Sequence, residues 1–281
     1  MIVVGVDGSL NARAAVEWAV NDAFRTHMPL KIVYAVDRSP YQTTKFPAVG
    51  LPDMPLSKGQ TILAEATALA HERQPDVEVT TEEVEGAPAV VLRKLAEQAR
   101  EIVVGSRGRG GLPSALLGSV SVHVAGQTAC PVVVVHGERQ PARGQIVVGV
   151  DDSTACEPAL AYAFEQARLR GATLRALYAW QLPVNVLVPQ VSYGMDEPRT
   201  APHQVVTDRL EAFRKEYPQV RVVEDVRCAD PVDALTKASA EADLLVVGSH
   251  GRGAVAAALL GSVSRGVLHH ARCAVAVVRA S

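Results

Sequence analysis

No apolar run in the sequence approaches the roughly 18 residues a helix needs to cross a bilayer, so a membrane partner is not expected. The start, Met1-Ile2-Val3-Val4-Gly5-Val6-Asp7, lacks the basic region that opens a signal peptide and reads as a first strand. Cysteine is scarce. The four residues Cys130, Cys156, Cys228 and Cys273 form no CxxC pair and sit at no zinc-like spacing, so reduced thiols and a cytoplasmic location are expected. Neither sign of charge dominates: 28 basic against 30 acidic residues leave a formal charge of −2. That argues against nucleic acid, or an anionic surface, recognised through bulk charge.

Several chemical motifs are also missing. There is no G-x-x-x-x-G-K-[ST], no G-x-G-x-x-G after the first strand, no G-x-S-x-G elbow and no H-E-x-x-H, which disfavours P-loop, dinucleotide, hydrolase and zinc-protease chemistry. His269 and His270 are adjacent, cannot share a helix face and read as surface. No catalytic constellation emerges.

What the 281 residues do contain is one unit written twice. Ile2-Val3-Val4-Gly5-Val6-Asp7 returns letter for letter as Ile146-Val147-Val148-Gly149-Val150-Asp151, an offset of 144. Val103-Val104-Gly105-Ser106 returns as Val246-Val247-Gly248-Ser249, and Leu116-Leu117-Gly118-Ser119-Val120-Ser121 as Leu259-Leu260-Gly261-Ser262-Val263-Ser264, both at an offset of 143. Two domains are expected, 1–138 and 145–281, joined by a polar Pro/Gly linker at 139–144.

Each half alternates strand and helix signals. Short Val/Ile-rich runs at 2–6, 30–36, 77–82, 101–105 and 132–136 have the continuous apolar character of parallel strands covered on both faces. Ala15, Trp18, Ala19 and Ala23 form one helical stripe, matched by Ala159, Tyr162, Ala163 and Ala167. A second stripe runs through Leu92, Leu95, Ala96 and Ala99, with Pro88 in the first turn and Pro231 as its counterpart. Strands alternating with helices predict an α/β fold, an open parallel sheet with helices on both faces. Two proline-rich stretches, Asp37 to Leu56 and Gln181 to Ala201, exceed the usual loop length and read either as binding loops or lids or as surface excursions.

The strongest chemical signal follows the fourth strand of each half. Gly105-x-x-Gly108, nine residues, then Gly118-Ser119 is matched by Gly248-x-x-Gly251, nine residues, then Gly261-Ser262. In an open parallel sheet, ligands bind outside the carboxyl ends of the strands where strand order reverses. Glycines there let backbone N–H groups converge on an anion without interference from Cβ, the role expected above all of Gly105 and Gly248. Gly118-Ser119-Val120-Ser121 then opens a helix, whose free N–H groups and dipole favour phosphate. Ser119, Ser121, Ser262 and Ser264 are candidate hydroxyl donors. Arg107, Arg109 and Arg252 supply positive charge, and His250 stands where the first loop has Arg107, so the charge there depends on pH. Asp7 and Asp151 close the first strand of each half and suit two roles: accepting hydrogen bonds from a ribose or adenine group, or helix capping together with Ser9 and Ser153.

These residues closely resemble the universal stress protein family. The I-V-V-G-V-D-[GD]-S start, the V-V-G-S-x-G-R-G loop and the L-L-G-S-V-S helix entry match its ATP-binding branch, twice over, as in tandem members common in actinobacteria. The resemblance implies an α/β fold of five parallel strands per domain in the order 3-2-1-4-5, similar to the adenine nucleotide α-hydrolase-like group. It implies two ATP sites per chain, accompanied by Mg²⁺. In the first, the site residues would be Gly5, Asp7, Ala35, Gly105, Ser106, Arg107, Gly108, Arg109, Gly110, Gly118, Ser119, Val120 and Ser121. In the second they would be Gly149, Asp151, Ala179, Gly248, Ser249, His250, Gly251, Arg252, Gly253, Gly261, Ser262, Val263 and Ser264. Asp152 replaces the Gly8 type, placing a second carboxylate beside the second site, where it would repel phosphate or help hold a metal. The family also implies pairing through last strands, here Pro131 to Val135 with Ala274 to Val278, as a pseudo-dimer within one chain, with homodimers of whole chains a further option.

The function expected is a regulatory ATP-binding protein of the stress or dormancy response, its protein partner left open by the sequence. A slow ATPase or nucleotide-dependent transferase on the same fold is the alternative, with the arginines stabilising charge. A nucleotide-free adaptor is a third reading, disfavoured by the retention of both glycine motifs.

Overall fold

The structure, a computed structural model, describes residues 1–37, 54–109, 117–137, 142–181, 197–251 and 260–280. The chain divides into two compact units, Met1–Arg139 and Gln140–Ser281.

In the first unit the elements run β1 (Ile2–Val6), α1 (Leu10–Thr26), β2 (Leu30–Val36), α2 (Met54–Arg73), β3 (Val79–Glu85), α3 (Pro88–Leu95), β4 (Glu101–Gly105), α4 (Ser119–Gln127) and β5 (Val132–Val135). β1 lies at the centre, paired in parallel with β2 on one side and β4 on the other. β3 adds to β2 and β5 to β4, also in parallel. Both alternate sets of side chains in the inner strands are buried; Val3, Val4, Ile102, Val103, Val132 and Val133 are all inaccessible. That is why these strands read as unbroken Val/Ile runs: helices cover both faces. α1 and α2 pack on each other and on β1 to β4, while α3 and α4 form a second pair. Ser9 caps α1, its Oγ accepting from the Ala12 amide at 3.1 Å, and the stripe of Ala15, Ala19 and Ala23 is fully buried.

The second unit repeats the plan with β6 (Gln145–Val150), α5 (Glu157–Arg170), β7 (Thr173–Trp180), α6 (Glu197–Glu216), β8 (Val222–Cys228), α7 (Pro231–Ser239), β9 (Leu244–Gly248), α8 (Ser262–His270) and β10 (Ala274–Val278). β6 is central, flanked by β7 and β9, with β8 outside β7 and β10 outside β9, all parallel. A 3₁₀ turn, Thr154–Cys156, precedes α5 and has no counterpart before α1. Entry into β6 is fixed by Asp243, whose carboxylate accepts the successive amides of Arg143, Gly144 and Gln145 at 2.6, 2.8 and 3.3 Å.

Three boundaries differ from the sequence reading. β3 spans Val79–Glu85 and not 77–82, because its residues, VTTEEVE, are mostly polar and partly exposed, leaving little apolar signal. α3 ends at Leu95, with Ala96 as its cap, so Ala99 of the expected stripe lies beyond the helix. β5 ends at Val135, one residue short of the expected 136. Most of the two proline-rich stretches lies outside the described residues.

Candidate functional site

Each unit carries a cavity at the carboxyl ends of its central strands, about 560 Å³ in the first and about 450 Å³ in the second. The walls come from four places in the chain. Gly5 and Asp7 end β1, Val33 and Ala35 lie on β2, Pro88 and Leu92 open α3, and the glycine loop after β4 leads to the start of α4. Gly149 and Asp151, Leu177 and Ala179, Pro231 and Leu235, and the loop after β9 with the start of α8 do the same in the second unit.

Asp7 fastens the first loop. Its Oδ1 accepts the Ser9 amide at 3.0 Å and its Oδ2 the Arg109 amide at 2.7 Å. Gly8 makes the turn beneath at φ +78°, a left-handed conformation that suits glycine. Ser9 adds a hydroxyl contact to the Arg107 carbonyl at 3.3 Å. Ser9 is therefore the cap, and Asp7 faces the cavity while holding the loop that forms its rim. In the second unit Asp151 Oδ1 accepts both the amide and the hydroxyl of Ser153, at 2.9 and 2.5 Å. Ser153 thereby makes no side-chain cap. Asp152, in the place of Gly8, is exposed. Its carbonyl accepts from Arg209 at 2.7 Å, and it does not line the cavity.

At the far side, α4 and α8 begin at Gly118 and Gly261 without any side-chain cap and without an acidic residue in the first turn. By contrast α7 is capped by Asp230, which accepts the Asp233 amide at 3.0 Å. Ser119 and Ser262, the first residues of α4 and α8, are exposed at the cavity wall. A helix start left bare in this way presents donors and positive potential to whatever occupies the cavity.

Most of the expected site residues line the two cavities: Gly5, Asp7, Ala35, Gly105, Arg107, Gly108, Arg109, Gly118, Ser119, Val120 and Ser121 in the first, and Gly149, Asp151, Ala179, Gly248, His250, Gly251, Gly261, Ser262, Val263 and Ser264 in the second. Gly110, Arg252 and Gly253 lie outside the described residues. The structure gives three groups of these residues further partners. Ser106 and Ser249 are buried and line neither cavity; their amides instead donate to Val135 and Val278, at 2.8 Å each. Ser121 and Ser264 are buried as well, and their hydroxyls are spent on backbone. Ser121 Oγ donates to the Gly105 carbonyl at 2.8 Å, and Ser264 Oγ lies 3.0 and 3.2 Å from the carbonyls of Ser249 and Gly261. Finally, a Cβ at Gly105 would meet the Asn11 backbone at 2.7 Å, so this glycine, which lines the cavity, also admits α1 to β4.

The apolar floor was missed. Val33, Leu92 and Val104, with Leu177, Leu235 and Val247 in the second unit, read as core in isolation, although each recurs in the repeat. The cavities also differ. Arg107 and Arg109 border the first and are exposed, while His250 takes the place of Arg107 in the second. Cys156, where the first unit has Ala12, lines the second cavity as a thiol whose pKa is raised by burial. Trp180 and Gln181 complete that wall.

The comparisons with known proteins agree with this geometry. The universal stress protein family profile matches residues 1–136 and again 143–279. A universal stress protein of Mycobacterium bovis is 36% identical over 291 residues, covering 100% of this chain and 97% of the relative. One from Mycobacterium tuberculosis is 36% identical over 293 residues, covering 100% and 96%. The crystal structure of a universal stress protein from Archaeoglobus fulgidus has the same fold, with a TM-score of 0.70 at 21% identity, covering 99% of this chain and 96% of that one. Sequence, repeat and architecture together place this chain in the universal stress protein family, with the family unit present twice.

Proposed function

We propose that the chain is a regulatory adenine-nucleotide-binding protein that takes one ATP, accompanied by Mg²⁺, in each unit. One observation carries the reading: in both units a glycine loop and an uncapped helix start face the same cavity at the carboxyl ends of the central strands. The loop is a cradle that a side chain would fill. A Cβ at Gly108 would stand 2.5 Å from Asp7, which braces that loop, and one at Gly251 would stand 2.7 Å from Asp151. Within the cradle, Gly108, Gly118 and Ser119 would hold the phosphates of the first ligand, and Gly251, Gly261 and Ser262 those of the second. Ala35 and Ala179, near the ends of β2 and β7, would offer backbone groups to the adenine ring. The apolar floor at Val33 and Leu92, or Leu177 and Leu235, suits a flat base.

Among the described residues each cavity is lined by a single carboxylate, Asp7 or Asp151. That donor set fits a magnesium ion carried in by the phosphates better than one caged by protein, in keeping with the ion's preference for phosphate and water ligands. We place each unit in the five-stranded 3-2-1-4-5, adenine nucleotide α-hydrolase-like group on the same grounds. Among the described residues no helix is long and apolar enough to cross a membrane.

The test is direct. The purified chain is denatured, and any released nucleotide is identified and counted per chain; the folded chain is also titrated calorimetrically with ATP, ADP and AMP. Two adenine nucleotides per chain are expected. Absence of released nucleotide, together with no binding heat from natively folded protein, would remove the proposal.

A further inference from the structure

The two repeats agree along the strands that carry their cavities and differ at both ends of the hollow. At the loop end the first repeat reads Ser106-Arg107-Gly108-Arg109 and the second Ser249-His250-Gly251-Arg252, so two guanidinium groups stand against one. Arg107 and Arg109 line the first cavity and are exposed. His250 lines the second, but its ring nitrogens are withdrawn: Nδ1 lies 3.0 Å from the Ser249 hydroxyl and Nε2 is buried. At the other end, Val36 and Asp37 follow Ala35 without lining the first cavity, whereas Trp180 and Gln181 follow Ala179 and line the second. The Gln181 side chain is held in place. Its Nε2 donates to Asp230 Oδ2 at 3.4 Å, while Asp230 Oδ1 caps α7. The first repeat has Asp37 and Ala87 at these two positions, a pair that cannot make this bond.

We propose that the two cavities draw their affinity from opposite ends of one ligand: the first from the phosphate chain, the second from the adenine base, with Trp180 and Gln181 as specificity-determining residues. The inference rests on the nucleotide reading above and deepens it. Each added phosphate brings negative charge, and Arg107 and Arg109, which stay ionised, hold it through charge-assisted hydrogen bonds. The second loop has one guanidinium fewer and gains less from a long chain. At the end of β7 the balance is reversed. The indole of Trp180 suits stacking on a purine face. With its amide nitrogen engaged by Asp230, Gln181 offers a ligand its carbonyl oxygen, an acceptor. That oxygen matches the 6-amino group of adenine and opposes a 6-oxo group, which would set acceptor against acceptor.

The probes are ATP, AMP and inosine triphosphate, in which a 6-oxo group replaces the 6-amino group. Trp18→Phe leaves Trp180, at the second cavity, as the single tryptophan, so its fluorescence follows the second site while calorimetry records both. At the Trp180 site AMP should bind within about threefold of ATP, and inosine triphosphate about tenfold more weakly than ATP. At the other site AMP should fall about tenfold below ATP, and inosine triphosphate should lose less than it does at the second. Gln181→Ala should lower the base preference of the second site to that of the first. Arg107→Ala should weaken ATP at the first site more than AMP. Two sites that rank the three nucleotides alike, or a base preference at the second site that survives Gln181→Ala, overturn the proposal and leave the nucleotide reading standing. Absence of binding by all three probes overturns both.

Discussion

The Arg109 amide donates to Oδ2 of Asp7 at 2.7 Å, and the residue before it has no room for a side chain, since a Cβ on Gly108 would stand 2.5 Å from that same oxygen. A Cβ on Gly251 would likewise stand 2.7 Å from Oδ2 of Asp151. The loop is thus defined by contact with a carboxylate as much as by its own flexibility.

Gly108→Ala should therefore displace the loop and weaken ATP at the first site by about tenfold or more, a loss of roughly 1.4 kcal/mol or greater, with the second site and the circular dichroism spectrum unchanged. Gly251→Ala should do the converse. Calorimetry on each single variant separates the two, and full affinity in either would show that the cradle does not touch the ligand.

Gly105 and Gly248 belong to the same motif but should not respond alike. A Cβ at Gly105 meets the backbone of Asn11 at 2.7 to 2.8 Å, whereas at Gly248 the nearest atom is the His250 carbonyl at 3.1 Å. Gly105→Ala should cost about 1–3 kcal/mol of stability in urea titrations, the usual range for overpacking, and Gly248→Ala clearly less. Equal costs would contradict the packing origin of Gly105.

The thiols should sort by burial. Cys273 is pushed up to about 12 and Cys130 to about 11, in both cases first by burial and next by a nearby carboxylate, Asp243 or Glu101. Cys228 is exposed. At pH 8 an aromatic disulfide reagent should label Cys228 rapidly and the others only on unfolding, because the thiolate is the reactive form. The same shifts set a pH dependence. The native state keeps thiol protons that the unfolded chain releases, so stability should hold below pH 9 and fall as pH rises from about 9 toward 12. Melting temperatures that do not drop across that window would argue against buried thiols.

Asp243 offers a test of domain organisation. Three consecutive amides converge on its carboxylate, and Gly144 takes φ +66°, which lets neighbouring N–H groups point the same way. Asp243→Ala should release Arg143 and Gly144 from the second unit and speed tryptic cleavage after Arg143 severalfold. Cleavage after Arg139, four residues upstream in the sequence, serves as internal reference. An unchanged ratio would mean that the carboxylate does not secure the segment.

How much of this was legible beforehand depended on whether a feature is local. The inner strands and α1 follow from apolar runs and stripes, since Val3, Ile102 and Ala19 report their burial through residue type alone. The loop glycines and the aspartates that follow β1 and β6 stood out because both repeats retain them. What could not be read was the destination of individual atoms. Ser121 and Ser264 have the right chemistry for phosphate, yet their hydroxyls go to carbonyls made available by the tight turn of the loop. Leu92 and Leu235 look like helix core until the central strands of their own units are placed beside them: a Cβ at Gly5 would come within 3.0 Å of Leu92, and one at Gly149 within 3.4 Å of Leu235. The polar outer strand β3 shifted because an edge position asks little of its side chains.

The amides of Ser106 and Ser249 hang on the carbonyls of Val135 and Val278, the closing residues of β5 and β10. Each loop is thereby hinged to the last residue of a buried strand. Any displacement of the loop must strain or break that one bond, so the packing of the strand limits how far the rim of the hollow can move.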